Sequence, residues 1–367
     1  MNNPLFITDI TLNKIRHLKE IDIALSKAEK KHLILTGKNG SGKTSVLEAI
    51  RDLLGNDNNT PQIPVISNHS LAIEFNALND LTLLQENDFI LSFFAAKRAT
   101  SMDIPEGPKK MRLEKRYQID TEPSHTFLQY LVNLKVEQSF ARDDDDLETV
   151  EQIKTWFETF EAMLQALFAD NRLTLQFDRK NYNFDLITQN RERFDFNTLA
   201  DGYSAVVSII SDLMIRMAEQ ERYDMPGIVL IDEIETHLHV ELQKQILPFL
   251  THFFPQIQFI VSTHSPFVLT SLQGAVIYDL ENHLRVEDLS AYAYDAVIER
   301  YFEVDKYSDV IKEKVKAYEV LLKKEDKTSE EQFQVLALKN ELKKVPSDFA
   351  PELVAHFQSL EFKFKND

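Results

Sequence analysis

The feature that most constrains this sequence is a glycine-rich stretch, Gly37–Thr44, which reads GKNGSGKT. It follows the apolar run Leu33–Leu35 and precedes a segment whose apolar residues recur at helical spacing, so it predicts a strand, a tight turn and a helix. Glycines let the backbone wrap a phosphate closely because they lack the Cβ that would collide with it. Successive N–H groups and the helix N-terminus then attract the anion. The stretch is therefore predicted to be a P-loop that binds a nucleotide.

Two side chains of this stretch carry specific predictions. Lys43 is expected to reach the β- and γ-phosphates of ATP, and the Thr44 hydroxyl is expected to bind Mg²⁺. The alternative is a glycine-rich turn with a chance lysine, which the strand before the turn and the helix after it disfavour. The predicted nucleotide-binding residues in this half of the site are Gly37, Lys38, Asn39, Gly40, Ser41, Gly42, Lys43, Thr44 and Ser45.

Composition bounds the class of protein. With 367 residues the chain can bury a large core, in one large domain with insertions or in two lobes. Hydrophobic residues make up 43% and charged residues 27%, as in ordinary soluble proteins. The absence of cysteine excludes disulfides and thiolate metal sites. There is no signal-peptide pattern and no apolar run of the roughly 18 residues that cross a membrane. We therefore expect a cytoplasmic protein without a membrane segment.

The formal charge of −18 argues against broad, nonspecific binding to nucleic acid, which requires a basic surface. Local contact with nucleic acid stays open, because two clusters of basic residues occur. A solvated charged loop explains either cluster at least as well and is the favoured interpretation. The clusters are Lys27, Lys30 and Lys31, and Lys97, Arg98, Lys109, Lys110, Arg112, Lys115 and Arg116.

Hydrophobic periodicity gives a coarse secondary structure. Strands are predicted at 5–7, 21–23, 33–35, 71–75, 89–94, 173–177 and 182–186. Residues 101–123, rich in proline and glycine, predict an irregular segment with one short strand. Residues 124–168 predict a helical hairpin broken by the aspartate run 143–146, which is interpreted as an exposed loop rather than a metal site. A buried helix is predicted from Tyr203 to Met217, and helices follow beyond residue 290, one of them starting at a capping box of Ser329 with Gln332.

A second motif follows the aliphatic run Ile228–Ile231, which ends in Asp232 and Glu233. Such a run is typical of a central parallel strand whose carboxyl end faces a ligand crevice. Asp232 is a candidate Mg²⁺ ligand, and Glu233 is a candidate general base that accepts a proton from the attacking water. A strand that simply ends in an acidic turn is the alternative.

A third motif follows the apolar run Phe259–Val261 and contains Ser262, Thr263, His264, Ser265 and Pro266. A histidine at the end of a strand beside the P-loop could hydrogen-bond the γ-phosphate and sense its loss. An ordinary strand-end histidine is the alternative, and the position of His264 one helix and one strand after Asp232 favours the catalytic interpretation.

Together the motifs resemble those of the ABC-type ATPases of the RecF, SMC, Rad50 and OLD group, most closely the stand-alone prokaryotic ATPases related to OLD. The segments that carry the resemblance are Gly37–Thr44, Leu199–Ser204, Asp232–His239 and Ser262–Pro266. The resemblance covers roughly 5–55 and 195–280. It implies an α/β P-loop NTPase fold: an ABC-type ATPase head with a mixed sheet, a helical insertion and a helical C-terminal region.

By this resemblance, Leu199–Ser204 matches the ABC signature, whose helix N-terminus meets the γ-phosphate bound by the opposite subunit. The implied contacts in trans are Ala200, Asp201, Gly202 and Ser204. The sequence departs from the usual signature, because Ala200 replaces a serine and Asp201 adds a negative charge; Ser204 is a candidate substitute donor. Thr236–His239 falls at the D-loop of the dimer seam, and His264 matches the switch histidine. For the Q-loop, the candidates are Gln85 and the pair Lys97–Arg98.

The resemblance and the helical periodicity together predict the domains, and the distance of the C-terminal helices from the ATP motifs suggests their role. Residues 1–290 are predicted to form the ATPase head, with lobe I at about 1–100 and 225–290 and a helical insertion with the signature lobe at about 101–224. Residues 291–367 are predicted to be a helical region that binds a partner or mediates oligomerisation.

The function that the resemblance implies is an ATP-driven switch with ATP and Mg²⁺ as cofactors. It forms a homodimer or higher homo-oligomer and controls a separately encoded effector, such as a nuclease or toxin, in anti-phage defence. The alternatives are a RecF-like DNA-repair clamp and the nucleotide-binding subunit of a transporter. Intrinsic nuclease activity is not expected, because the acidic residues after His264 lack the spacing of the metal-binding Toprim domain of OLD enzymes.

Overall fold

The computed structural model describes residues 5–56, 65–76, 89–98, 101–291, 297, 309–343, 345 and 351–364. The chain divides into two compact units, Met1–Tyr294 and Asp295–Asp367. The roles predicted for the head and the C-terminal region stay predictions. In the parts that the structure describes, no helix is both long enough and apolar enough to cross a membrane.

The strands are β1 (Ile7–Ile15), β2 (Leu18–Ala24), β3 (Leu33–Thr36), β4 (Val65–Ser67), β5 (Leu71–Phe75), β6 (Ile90–Phe94), β7 (Thr174–Asp178), β8 (Asn183–Ile187), β9 (Arg193–Asp195), β10 (Gly227–Ile231), β11 (Ile257–Ser262), β12 (Val276–Asp279) and β13 (Leu284–Glu287). The helices are α1 (Lys43–Leu54), α2 (Phe127–Asp143), α3 (Leu147–Phe168), α4 (Asp201–Ala218), α5 (Val240–Phe253), α6 (Pro266–Leu269), α7 (Asp309–Lys323), α8 (Ser329–Leu342) and α9 (Pro351–Lys363). The predicted α/β fold with a mixed sheet is confirmed.

The central sheet of the first unit has six strands in the order β13-β12-β3-β11-β10-β6. All neighbours run parallel except β13, which pairs antiparallel with β12 at one edge. β3, β10 and β11 are buried along their whole length, which explains their continuous aliphatic sequences. The four neighbouring strands β3, β11, β10 and β6 are parallel. The loops after them therefore lie at the same edge of the sheet, where the strands have their carboxyl ends. Those loops carry the P-loop, Asp232, His264 and Arg98.

A second, antiparallel sheet has the order β2-β1-β5-β4 and shares a hydrophobic core with α1 and the central sheet. The predicted strand at 5–7 is wrong in its extent, because β1 runs from Ile7 to Ile15. β1 pairs with β2 on one side and β5 on the other, and Ile10 and Leu12 are fully buried. Its polar residues alternate with these apolar ones, a period-two pattern that the prediction overlooked.

The inserted segment confirms the predicted helical hairpin. α2 ends at Asp143, and Asp146 begins α3 by accepting a hydrogen bond from the N–H of Thr149 at 3.2 Å. A three-stranded antiparallel sheet, β7-β8-β9, follows the hairpin. The short strand predicted within 101–123 is wrong: residues 101–122, all described, contain none. Side chains hold this segment instead, as Asn197 does by bonding both the N–H and the carbonyl of Met102 at 2.7 and 2.9 Å.

The second unit contains α7, α8 and α9, and its core is formed by Val315, Tyr318, Leu342, Phe357 and Leu360. The capping box of α8 lies one residue before the predicted one. Thr328, not Ser329, is the N-cap: its hydroxyl accepts from the N–H of Glu331 at 3.3 Å, and the Glu331 carboxylate accepts from the N–H of Thr328 at 2.9 Å. The threonine hydroxyl and the carboxylate three residues later each satisfy one orphan N–H group, so this pair forms the cap.

Candidate nucleotide-hydrolysis site

The P-loop follows β3 and ends at the start of α1, as predicted. Gly42 is the N-cap of α1 with φ of 101°, a left-handed conformation, and a Cβ added there would lie 2.8 Å from Cδ1 of Leu18. The first N–H groups of a helix have no partners within the helix, and Gly42 has no side chain to cap them. The Ser41 hydroxyl is buried and has no hydrogen-bond partner among the described residues. These donors form a cradle that fits an anion such as a phosphate.

Lys43 lies inside this cradle with only 5% of its surface exposed. Its Nζ donates to the carbonyl oxygens of Gly37 and Lys38 at 2.9 and 3.2 Å. Burial lowers the pKa of its ammonium, and the carboxylates of Glu233 and Glu235 oppose that shift. A phosphate bound beside Lys43 would add further negative charge and so stabilise the buried ammonium.

Thr44 meets the end of β10. Its hydroxyl donates to Oδ2 of Asp232 at 2.9 Å, although the two residues are 188 positions apart. The other oxygen, Oδ1, accepts from the Ser262 hydroxyl at 2.6 Å, and Asp232 is 3% exposed. Hydroxyl and carboxylate oxygens are hard ligands, and Mg²⁺ in nucleotide sites takes one or two protein ligands together with water and phosphate oxygens. The donor set of Thr44 and Asp232 therefore fits Mg²⁺.

Glu233 follows directly in a left-handed conformation, with φ of 43°. Its N–H donates to the Ser262 hydroxyl at 2.8 Å. Ser262 thus accepts from Glu233 while it donates to Asp232, and it fixes both acidic residues relative to β11. Of the carboxylates that raise the pKa of Lys43, Glu233 has the largest effect, which places its charge beside the cradle.

His264 lies just after β11, and its N–H donates to Oε1 of Glu235 at 2.5 Å. Burial and the charge of Lys43 lower the pKa of the imidazole. His264 is therefore neutral at pH 7, with one ring nitrogen as donor and the other as acceptor. His264 lies close enough to Lys43, Asp232 and Glu233 for their charges to act on its pKa, and its catalytic role stays a prediction.

The signature residues start α4. Ala200 is the extended N-cap and has no side-chain cap bond, and exposed Asp201 occupies the first turn, where a carboxylate stabilises the positive end of the helix. Ser204 is buried, and its hydroxyl donates to the carbonyl of Leu199 at 3.1 Å. The interpretation of Ser204 as a substitute donor in trans is therefore not supported by this arrangement. Gly202 packs against the predicted D-loop at the carbonyl of His237.

Several residues of the site were missed or left undecided by sequence reasoning. Arg98 is buried and bonds the carbonyl oxygens of Asp232 and Glu233, whereas Lys97 is exposed and Gln85 lies outside the described residues. The sequence motifs include Ser262 and Glu235 but give neither of them a role. A cavity of about 460 Å³ opens beside the P-loop, and its lining is His17, Leu18, Lys19, Lys38, Asn39, Gly40, Ser41, Leu280, Glu281 and His283.

The two basic clusters differ in their surroundings. In the first, Lys27 pairs with Glu74 at 3.1 Å, Lys31 with Glu29 at 2.8 Å, and Lys30 donates to the carbonyl of Ile257 at 3.0 Å. These contacts satisfy the charges locally, which favours the solvated-loop interpretation. In the second, exposed basic residues line an open cleft of about 910 Å³ that also contains acidic ones; its charged members are Asp103, Glu106, Lys109, Lys110, Arg112 and Glu114.

Comparison with known proteins places most of the chain in a family. A family model described as "AAA domain, putative AbiEii toxin, Type IV TA system" matches residues 33–270. That range includes the P-loop, the signature segment, the acidic end of β10 and His264.

Individual relatives match over part of their length. The chain is 28% identical to the Septu protein PtuA of Bacillus mycoides (strain KBAB4) over 294 residues, which are 74% of this chain and 39% of that protein. It is 32% identical to the retron Ec83 probable ATPase of Escherichia coli over 142 residues, which are 35% of this chain and 26% of that protein. The SMC head domain from Thermotoga maritima aligns at 13% identity with a TM-score of 0.41, covering 76% of this chain and 97% of that one. The chain thus spans less than two fifths of either curated relative.

Proposed function

This chain belongs to the family described as "AAA domain, putative AbiEii toxin, Type IV TA system", and from that premise we propose that it is an ATP-hydrolysing molecular switch. The observation that carries the proposal is the 2.9 Å hydrogen bond between the Thr44 hydroxyl and Asp232. It places a hydroxyl and a carboxylate at the foot of a phosphate cradle, which is the protein ligand set of an Mg-ATP site.

Each catalytic residue has a distinct task in the proposed reaction. The N–H groups at the start of α1 and the ammonium of Lys43 hold the β- and γ-phosphates, with Lys43 leaving its two carbonyl contacts to do so. Thr44 and Asp232 would hold Mg²⁺, which would neutralise part of the charge on the phosphate oxygens. Glu233 accepts the proton of the attacking water, since a carboxylate beside the cradle is a competent general base. The neutral imidazole of His264 donates a hydrogen bond toward the γ-phosphate.

The cavity beside the P-loop is the proposed position of the nucleotide base. It is lined by the P-loop itself and by His17 and His283, whose imidazole rings have flat faces on which a purine can stack. Glu281 holds Lys38 in the lining of this cavity, because its carboxylate accepts from both the Nζ and the N–H of Lys38 at 2.9 and 3.3 Å.

Dimerisation through ATP is proposed to use the face formed by the start of α4 and Thr236–His239. The two segments are packed together within the first unit: Gly202 lies against His237, and the rings of Tyr203 and His239 are 5.9 Å apart. Asp201, His237 and His239 are exposed on this face. A nucleotide held by the opposite P-loop would be met by the uncapped N–H groups of α4. ATP favours the closed dimer to the extent that these contacts are absent from the open state.

The output is proposed to be control of a separately encoded effector, a nuclease or toxin, in anti-phage defence. The names of the Septu and retron relatives support this setting. The helical unit 295–367 offers a docking surface for such a partner, because α8 exposes Phe333 at 75% and Leu336 at 58%. Large exposed apolar side chains on one helix are common at protein interfaces.

The test is affinity purification of the Glu233→Gln protein from its native host with Mg-ATP present, followed by mass spectrometry. A stoichiometric soluble nuclease or toxin that is absent from a matched Lys43→Ala preparation supports the proposal. A Phe333→Ser, Leu336→Ser variant should lose that partner while it retains ATP hydrolysis. Recovery of a membrane permease would replace the switch with a transporter subunit, and recovery of nucleic acid alone would favour a RecF-like repair clamp.

A further inference from the structure

Arg98 lies in the loop after β6 and reaches the acidic end of β10. Its Nη2 donates to the carbonyl oxygens of Asp232 and Glu233 at 2.8 and 2.9 Å. The side chain is 9% exposed. Burial lowers the pKa of its guanidinium to about 10, against the opposing effect of the nearby carboxylates, so Arg98 stays a cation at neutral pH. Arg98 thus bonds the backbone of the two acidic residues, while the carboxylate of Asp232 accepts from Thr44 and Ser262.

These contacts act on a strained backbone. Glu233 has φ of 43°, a conformation that a residue with a side chain keeps only where its surroundings enforce it. Its N–H is held by the Ser262 hydroxyl at 2.8 Å and its carbonyl by Arg98 at 2.9 Å. Both peptide groups that flank the Glu233 Cα are therefore fixed by side chains, one from β11 and one from the loop after β6.

Glu235 connects the same loop to His264. Its Oε1 accepts from the His264 N–H at 2.5 Å, whereas its Oε2 is buried and has no partner among the described residues. The Nε of Arg98 is likewise buried and without a partner in that part of the chain. Of the carboxylates that stabilise the Arg98 cation, Glu235 has the largest effect. Arg98 and Glu235 thus each keep one buried polar atom without a partner in the described part of the chain, whereas most buried polar atoms of native proteins are hydrogen-bonded.

We propose that Arg98 and Glu235 are positioning residues for hydrolysis, an inference that rests on the ATPase function proposed above. Arg98 fixes the backbone that carries Asp232 and the general base Glu233, and Glu235 fixes the loop that carries His264. The attraction between the Arg98 guanidinium and the Glu235 carboxylate couples these loops. Glu233 and His264 therefore keep a fixed position relative to each other.

The test compares kcat and KM for Arg98→Ala, Arg98→Lys and Glu235→Gln in the full chain. Because a small misplacement of a catalytic group costs about 100-fold in rate, Arg98→Ala should lower kcat by about that factor while KM and ADP affinity change less than threefold. Arg98→Lys should recover part of kcat, since lysine keeps the charge but not the planar fork. Added ethylguanidinium should partly rescue Arg98→Ala. The Arg98→Ala, Glu235→Gln double variant should lose less than the product of the single losses.

A matched control is Arg285→Ala. Arg285 also donates to two backbone carbonyls, those of Ala24 and Leu25 at 2.6 and 3.2 Å, but it lies on β13 away from the catalytic residues. The kcat of the Arg285→Ala protein should equal that of the wild type. If the wild type hydrolyses ATP and both Arg98 variants match it, the inference is overturned and the proposed function stands. If the wild type hydrolyses no ATP, the proposed function fails and this inference fails with it. If Arg98→Ala fails to bind ADP, the kcat of Arg98→Lys relative to the wild type becomes the test of the inference.

Discussion

Gly202, at the start of α4, approaches the carbonyl oxygen of His237 so closely that an added Cβ would lie 2.9 Å from that oxygen. The segment that resembles the ABC signature and the predicted D-loop are therefore in close contact within one chain. Glycine is required there because the neighbour is backbone, which cannot move aside as a flexible side chain can. This contact gives the atypical signature a structural role that does not depend on the missing serine at position 200.

Gly202→Ala should separate dimerisation from nucleotide binding. The Cβ forces the start of α4 away from His237, at a cost of about 1–3 kcal/mol of stability as in other overpacked sites. The P-loop is untouched, so ATP binding should persist while ATP-dependent dimerisation, measured by light scattering, weakens. The control is Gly107→Ala, whose Cβ would meet only the Tyr182 ring at 3.9 Å and should change neither property. An ATP-dependent Gly202→Ala dimer as stable as that of the wild type would contradict the account.

The sequence was sufficient for those parts of the site that are local in the chain. The P-loop, the acidic end of β10 and the histidine after β11 each lie directly after an apolar run, so strand and functional residue are recognised together. The parts that depend on strand order were not predictable. Arg98 acts on Asp232 only because β6 pairs with β10, and Ser262 joins two acidic residues only because β11 lies beside β10.

The local errors have physical causes as well. β1 extends to Ile15 because β2 and β5 pair with both of its edges, which no single-strand pattern reveals. The cap of α8 was misplaced by one residue, because Ser329 and Gln332 match the same pattern as Thr328 and Glu331. Only the latter pair includes a carboxylate, the stronger acceptor for the N–H of the N-cap.

Arg216 should be one of the most important residues for the stability of the first unit. Its Nε donates to Asp212 at 2.6 Å, and its other nitrogens donate to the carbonyls of Leu91, Gln118 and Thr121. Arg216→Ala leaves the buried carboxylate unpaired, so we expect a loss of about 3–5 kcal/mol in the free energy of unfolding, measured with urea. Arg193→Ala, which breaks the exposed pair with Asp185, should cost less than about 1 kcal/mol. Equal effects of the two substitutions would refute this assignment.

His32 should make the fold sensitive to acid. Its Nδ1 accepts from the N–H of Phe259 at 3.0 Å, and burial together with the Lys30 charge lowers its pKa to about 3. In the unfolded chain its pKa is about 6.5, so between those values only the unfolded state binds the proton. The free energy of unfolding should therefore fall by about 1.4 kcal/mol for each pH unit below about 6.5.

The matched variant for this prediction is His32→Gln, which keeps an acceptor for the N–H of Phe259 but does not titrate. Urea unfolding of both proteins should show their stability difference shifting by about 2–3 kcal/mol between pH 7.5 and 4.5. Above pH 6.5 the difference should be constant. Parallel pH curves for the two proteins would show that His32 is not kept neutral by the fold.

The central claim is that Glu233, held at the end of β10, is the base of an Mg-dependent ATP hydrolysis. The most direct measurement is steady-state ATP turnover by the wild type and by Glu233→Gln, together with ATP binding and assembly state. We predict that Glu233→Gln lowers kcat by about 100-fold or more, binds ATP like the wild type, and stays in the ATP-bound dimer for longer. Unchanged turnover by Glu233→Gln, or a larger loss in Glu235→Gln, would contradict it.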